Sequence, residues 1–176
     1  MAIAAWTGPV DRGSLRACRR GARHRGAEAA GETQDEAPLT TPLLDTHAWV
    51  GWMLGSPDLS STEHDALNGL PQDRRPYLSA ISLWEVAMLV DLQRLSLDIP
   101  LSEWLATAAH PRTVRLIPIS PAIAAGTALL PSSFHRDPAD RLIVATCREL
   151  EAPLLTHDRL IMRSRLVQRW RPEIDG

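Results

Sequence analysis

The chain contains no lysine: all 19 of its basic residues are arginine. Set against 21 acids they leave a net charge of −2, so no broad basic surface advertises nucleic acid. Any such function has to come from a local patch. Cysteine is scarce as well. Cys18 lies in an arginine-rich stretch and Cys147 in the apolar pattern RLIVATCREL, which together make neither a disulfide framework nor a paired-cysteine zinc motif. Cys147 reads as a small buried hydrophobe. Aromatics are only 5% of the chain, so a core has to be built from Leu, Ile, Val and Ala. No apolar run approaches the ~20 residues that a membrane helix needs. The start, MAIAAWTGPVDRG, lacks a basic region followed by an apolar one and does not read as a signal peptide. The expectation is a soluble cytoplasmic protein with no membrane partner.

What is present is one domain's worth of chain. At 176 residues and 44% hydrophobic, the sequence can fill a single core. Residues 1–37 differ from the rest: arginines at 12, 16, 19, 20, 23 and 25 are followed by acids at 28, 32, 35 and 36, with no helix or strand period. They read as a flexible leader, a basic arm gripping RNA being the alternative. Residues 38–176 form the expected domain. Within it, Leu39–Leu44 is strand-like, and Thr46–Leu54 has helical apolar spacing and is stopped by Gly55, Ser56 and Pro57. A second helix, capped by Ser61 or Thr62, reaches Leu70. Tyr77–Ser79 is extended and leads into a helix over 80–92 with Ile81, Trp84 and Met88 on its apolar side. A helix over Leu101–Ala109, a buried strand over Val114–Ile119 and a helix over Pro121–Leu130 follow. The clearest helix is Pro138–Leu150, with proline in its first turn and Ile143, Cys147 and Leu150 along one side. A strand over Pro153–Thr156, a short helix and a last strand over Leu166–Trp170 close the chain. Strands alternating with helices point to an α/β fold with a mostly parallel sheet covered on both faces.

In such sheets ligands bind beyond the carboxyl ends of the strands. Asp45 follows one strand and Asp158 another, while Glu85 and Asp140 lie in the first turns of helices. All four can reach one end of the sheet. Each also has an ordinary explanation. Asp45 can cap the helix at Thr46. Asp140 suits a helix start and can pair with Arg136 or Arg141. Glu85 is the most informative, because a carboxylate in the apolar segment SAISLWEVAMLV is costly unless a metal or an arginine pairs with it. Carboxylates gathered together raise one another's pKa unless a cation neutralises them, and Mg²⁺ or Mn²⁺ suits oxygen ligands. His47, His135 and His157 make no zinc motif and read as structural or substrate-facing.

The segments LLDTHAWVGWML, YLSAISLWEVAMLVDLQRLSL, LPSSFHRDPADRLIVATCREL and APLLTHDRLI together resemble a PIN domain. More narrowly they resemble VapC-type toxins of type II toxin–antitoxin pairs, from Leu43 to Ile161. The resemblance implies a three-layer α/β/α sandwich around a mostly parallel sheet, usually dimeric. It implies Mg²⁺- or Mn²⁺-dependent endonucleolytic cleavage of RNA, blocked by a small cognate antitoxin. By it, Asp45, Glu85 and Asp140 match the three invariant acids and Asp158 the position that completes the site. Ser82 and Thr156 match hydroxyl positions near the metal. Some relatives carry a further acid where this chain has Leu160 and Ile161.

The chemistry then expected is phosphodiester hydrolysis at one or two ions held by Asp45, Asp140 and Asp158, with Glu85 as a ligand or orienting water. His47, Arg136, Arg141, Arg159 and Arg163 are candidates for substrate contact; Arg141 can instead pair with an acid of the site. Arg165, Arg169 and Arg171 continue that late cluster, for which a solvated face is an equal reading. Two other classes remain open: a non-toxin PIN-type nuclease of RNA or DNA processing, and a non-catalytic interaction module. Trp49, Trp52 and Trp104 fit a dimer or antitoxin surface, core packing being the alternative.

Overall fold

A computed structural model describes residues 41–172 of the chain. The leader over 1–37, Cys18 and the first residues of the strand-like run lie outside the described residues. The elements are β1 (Leu43–Leu44), α1 (Thr46–Leu54), α2 (Ser61–Gly69), β2 (Tyr77–Ser79), α3 (Ile81–Asp91) and α4 (Leu101–Ala108). They continue with β3 (Arg115–Ile117), α5 (Pro121–Ala128), α6 (Pro138–Glu149), β4 (Leu154–Leu155) and α7 (Arg159–Ser164). A 3₁₀ turn over Gln72–Arg74 precedes β2. The strands pair in the order β3-β2-β1-β4, every pairing parallel. Leu43 lies between Tyr77 and Leu154, and Leu44 between Leu78 and Leu155.

Successive strand residues point to opposite faces. Leu43 and Leu154 pack with Phe134, Ile143, Val144, Cys147 and Ile161. Leu44, Leu78 and Leu155 pack instead with Trp49, Trp52, Val86 and Trp104. The central strands therefore have both faces buried, which is why PLL and PLLT read as continuous apolar runs rather than alternating ones. Helices flank the sheet on both sides, in agreement with the three-layer reading. Among the described residues no helix is long and apolar enough to cross a membrane.

The helix starts follow local chemistry. Asp45, Ser60, Ser120, Asp137 and Asp158 each accept a hydrogen bond from a backbone N–H of the helix they precede. The cap of α2 is Ser60, one residue before the expected Ser61 or Thr62, because Glu63 three positions later completes a reciprocal capping box with it. Pro121 and Pro138 occupy first-turn positions that need no N–H.

Three expectations are corrected and one alternative is decided. Trp84 is 54% exposed; the fully buried residues of α3 are Ser82 and Val86, while Ile81 packs against the core from a partly buried position. A helix apolar nearly all round has no stripe of its own by which spacing selects a face. Over 114–119 only Val114 is buried; β3 is an edge strand paired on one side, with Arg115 over the Tyr77 ring at 5.1 Å. Of the two readings of Trp49, Trp52 and Trp104, core packing holds, with the Trp49 and Trp104 rings 5.1 Å apart. The last strand is reduced to one bridge between Leu154 and Arg169. Cys147 is buried as expected. Its Sγ donates to the Ala152 carbonyl at 2.8 Å, and burial pushes its pKa up to about 12.

Candidate active site

Asp45 is the residue after β1, and its backbone N–H donates to the Leu155 carbonyl of β4. It therefore sits where the buried core meets the carboxyl end of the sheet, 4% exposed. Its Oδ1 accepts from the Ala48 N–H at 2.6 Å, so the capping role is real. Burial raises the Asp45 pKa; a hydrogen bond from Thr156, the Ala48 N–H and the neighbouring His47 and His157 act the other way. Thr156 is buried just past β4 and also accepts from the Asp158 N–H at 3.0 Å. Asp158 is half-buried, with Oδ1 accepting from the N–H groups of Leu160 and Ile161 at 2.6 and 2.9 Å.

Glu85 is half-buried on α3. Its Oε2 accepts from the Thr46 hydroxyl at 2.7 Å, and that hydroxyl lies 2.9 Å from the buried Ser82 Oγ. The cost of placing Glu85 in an apolar segment is thus offset by a hydroxyl that sequence reasoning passed over. Thr46 stands next to Asp45, but only the contact between α1 and α3 brings it to Glu85.

Asp140 ties the group together. Its pKa is raised from 3.8 to about 7, first by burial and then by the negative charges of Asp137, Asp158, Glu85 and Asp45. The fold therefore places all four acids singled out in the sequence within electrostatic reach of one another, with Asp137, the cap of α6, as an unexpected fifth contributor. The partner of Asp140 is His135, whose Nε2 stands 3.3 Å from Oδ2, rather than Arg136 or Arg141. Arg141 is directed at the backbone: Nη2 donates to Thr127 O at 2.7 Å, and Nη1 to His135 O at 3.3 Å and Phe134 O at 3.5 Å. Its guanidinium is thus directed at the loop ahead of α6 rather than at an acid of the site.

His47, Arg136, Arg159 and Arg163 are exposed. His157 is joined to the buried Glu63 at 3.1 Å, a link between α2 and the segment after β4 that spacing does not reveal. Burial raises the Glu63 pKa, but hydrogen bonds from Ser60 and the attraction of His157 outweigh it and leave the group below its ordinary value.

The donor chemistry fits a hard divalent cation: oxygens only, carboxylates, and an accumulated negative field at Asp140. Asp45, Asp158 and Glu85 each have one oxygen held by a protein donor, the kind of support that orients ligating carboxylates. The side chains do not close into a ligand shell. Among the described residues no three His, Cys, Asp or Glu side chains converge closely enough to hold an ion together.

A profile of the PIN domain family matches residues 43–163, from β1 into α7. The chain belongs to the PIN domain family. All four acids lie inside the matched span of this PIN domain. It is 39% identical over 127 residues to Ribonuclease VapC22 of Mycobacterium tuberculosis, covering 72% of this chain and 94% of that protein. Its fold is similar to that of FitAcB from Neisseria gonorrhoeae, with a TM-score of 0.56 and 25% identity over 75% of this chain and 98% of the other. FitAB bound to an IR36 DNA fragment gives the same TM-score of 0.56 at 22% identity, over 77% of this chain and 99% of that one. For a VapC-related PIN domain, dependence on a divalent metal is the family-level expectation.

Proposed function

We propose that this PIN domain is a metal-dependent endoribonuclease, the toxin of a toxin–antitoxin pair, hydrolysing RNA phosphodiester bonds at the acid cluster. The observation that supports this reading is that Asp45, Glu85 and Asp158 lie within electrostatic reach of Asp140, toward the carboxyl end of a parallel sheet. Asp45, Asp140 and Asp158 would hold Mg²⁺ or Mn²⁺, with Glu85 as a further ligand or as the group that orients the attacking water. A divalent ion there supplies Lewis acidity toward the scissile phosphate and the water. The chain does the positioning: Thr46 restrains Glu85, the N–H groups of α1 and α7 restrain Asp45 and Asp158, and Asp140 would serve as a ligand in its ionised form. A small antitoxin that covers this end of the sheet would silence the enzyme, and a homodimer is the expected assembly.

Asp45→Asn separates catalysis from capping, because asparagine caps a helix about as well as aspartate. Induced expression of the native chain is expected to arrest growth of a bacterial host, and the variant at matched protein level is not. Purified native protein is expected to cleave RNA with Mn²⁺ and to stop on chelation. Cleavage without arrest moves the assignment to a PIN nuclease of RNA processing. A folded native chain that neither binds Mn²⁺ nor cleaves RNA moves it to an interaction module.

A further inference from the structure

A pocket of about 370 Å³ opens between the loop that follows α5 and helix α7. One wall is Ser133, Phe134 and His135; the other is Leu160, Arg163 and Leu166. His135 belongs to both pocket and acid cluster, since its Nε2 stands 3.3 Å from Asp140 Oδ2. The pocket thus adjoins the carboxylates through one side chain. Its first wall is built in advance: the Arg141 guanidinium holds the carbonyls of Phe134 and His135 and anchors them to Thr127 of α5.

The lining is of a mixed kind. The His135 ring lies against the buried Phe134 ring, with centroids 4.3 Å apart and planes tilted by 49°, so the imidazole is braced from behind at the pocket wall. Leu160 is 54% exposed although it lies in a capped helix, so an apolar side chain is presented outward with no core to fill. Arg163 and Ser133 add a cation and a hydroxyl at the same opening. The volume is at the low end of the ~300–1,000 Å³ typical of small-ligand sites, enough for one nucleotide and far too small for a duplex. Proteins that read single-stranded RNA take up splayed bases on aromatic or histidine rings and meet the adjoining phosphates with arginine.

We propose that this pocket is a nucleotide subsite that receives the base next to the scissile phosphate of single-stranded RNA, with Arg163 meeting the neighbouring phosphate. The assignment rests on the nuclease reading and deepens it. Arg136 and Arg159 are exposed next in sequence to the wall residues His135 and Leu160, which makes them further candidates for phosphate contact. Base preference is accordingly concentrated at one position beside the cut.

The test uses the full chain, a 5′-labelled single-stranded RNA, and two variants outside the acid cluster. Ser133→Trp fills the opening from an exposed position, and Arg163→Gln removes the cation. Arg112→Gln, exposed ahead of β3 at the amino end of the strands, controls for loss of charge alone. Each pocket variant is expected to raise KM roughly tenfold with a much smaller change in kcat, the scale of one lost base or phosphate contact. Ser133→Trp is also expected to flatten the base preference beside the cut, while Arg112→Gln changes neither. Native KM and native preference in both pocket variants overturn the subsite and leave the nuclease intact. Should the native chain fail to cleave, the nuclease reading falls, and fluorescence anisotropy of the same RNA then decides the pocket. Weaker binding by Ser133→Trp retains it as an RNA site; unchanged binding removes it.

Discussion

Asp140 holds its proton into the neutral range because it is partly buried and faces the charges of Asp137, Asp158, Glu85 and Asp45. In the unfolded chain the same carboxyl titrates near 3.8. The native state therefore binds more protons between those two values, and the stability of the metal-free protein falls as pH rises from about 4 to about 7, levelling off above. The raised pKa of Asp45 acts in the same direction. A divalent cation opposes this repulsion, so the stabilisation it confers is largest where Asp140 is ionised. The melting temperature of metal-free protein is expected to decline from about pH 5 to about pH 8, and added Mn²⁺ to raise it more at the upper end. Asp140→Asn is expected to remove much of that slope. A metal-free profile that stays flat in the native chain would show that the four acids do not share a field. The acids themselves were legible in the sequence, because a carboxylate amid SAISLWEVAMLV or directly after an apolar strand is conspicuous. Thr46 was not, since one hydroxyl beside an aspartate carries no signal until α3 is packed against it.

At the scale of elements, α6 and the loop before it behave as one unit. Asp137 caps the helix, Pro138 sets its first turn, and Arg141 reaches back to three carbonyls. Replacing Arg141 with methionine keeps an unbranched side chain of good helix propensity but leaves those carbonyls without their donor. A loss of about 1–3 kcal/mol is expected in denaturant unfolding, the usual scale for hydrogen bonds made by a charged group. Faster amide exchange over residues 131–137 should accompany it; protection equal to the native chain would show that the clamp is dispensable. The helix itself was plain from Pro138 and the Ile143, Cys147 and Leu150 stripe. The direction of Arg141 was not, because an arginine in the second turn reads equally as a surface charge, an acid partner or a substrate contact. On α3 the reverse holds: apolar residues on nearly every side made the helix certain and its buried face undecidable, so Trp84 was assigned inward.

At the scale of the whole molecule, Trp84 is the tryptophan that the core leaves exposed among the described residues. Burying such a side chain against a second copy would remove apolar surface from water at about 25 cal/mol per Å². If the homodimer forms through this face of α3, Trp84→Glu is expected to convert it to monomer in light scattering after gel filtration, with the far-ultraviolet circular dichroism unchanged. A variant that remains dimeric assigns the interface elsewhere. The net charge of −2 gives no hint of where RNA would lie; that Arg163 lines a pocket with His135 comes only with the fold.

Element type, strand–helix order and the four conspicuous acids were determined by the sequence alone. These follow from local chemistry: apolar runs bounded by turn residues, side-chain caps, prolines at helix starts, and carboxylates where hydrocarbon is the rule. The tertiary structure decided which face of α3 is buried, that Arg115–Ile117 is an edge, that three tryptophans belong to the core, and that Thr46, His135 and Arg141 support the site. Each of these depends on a contact between segments far apart in the chain, and a helix or strand viewed singly does not specify the surface it will meet.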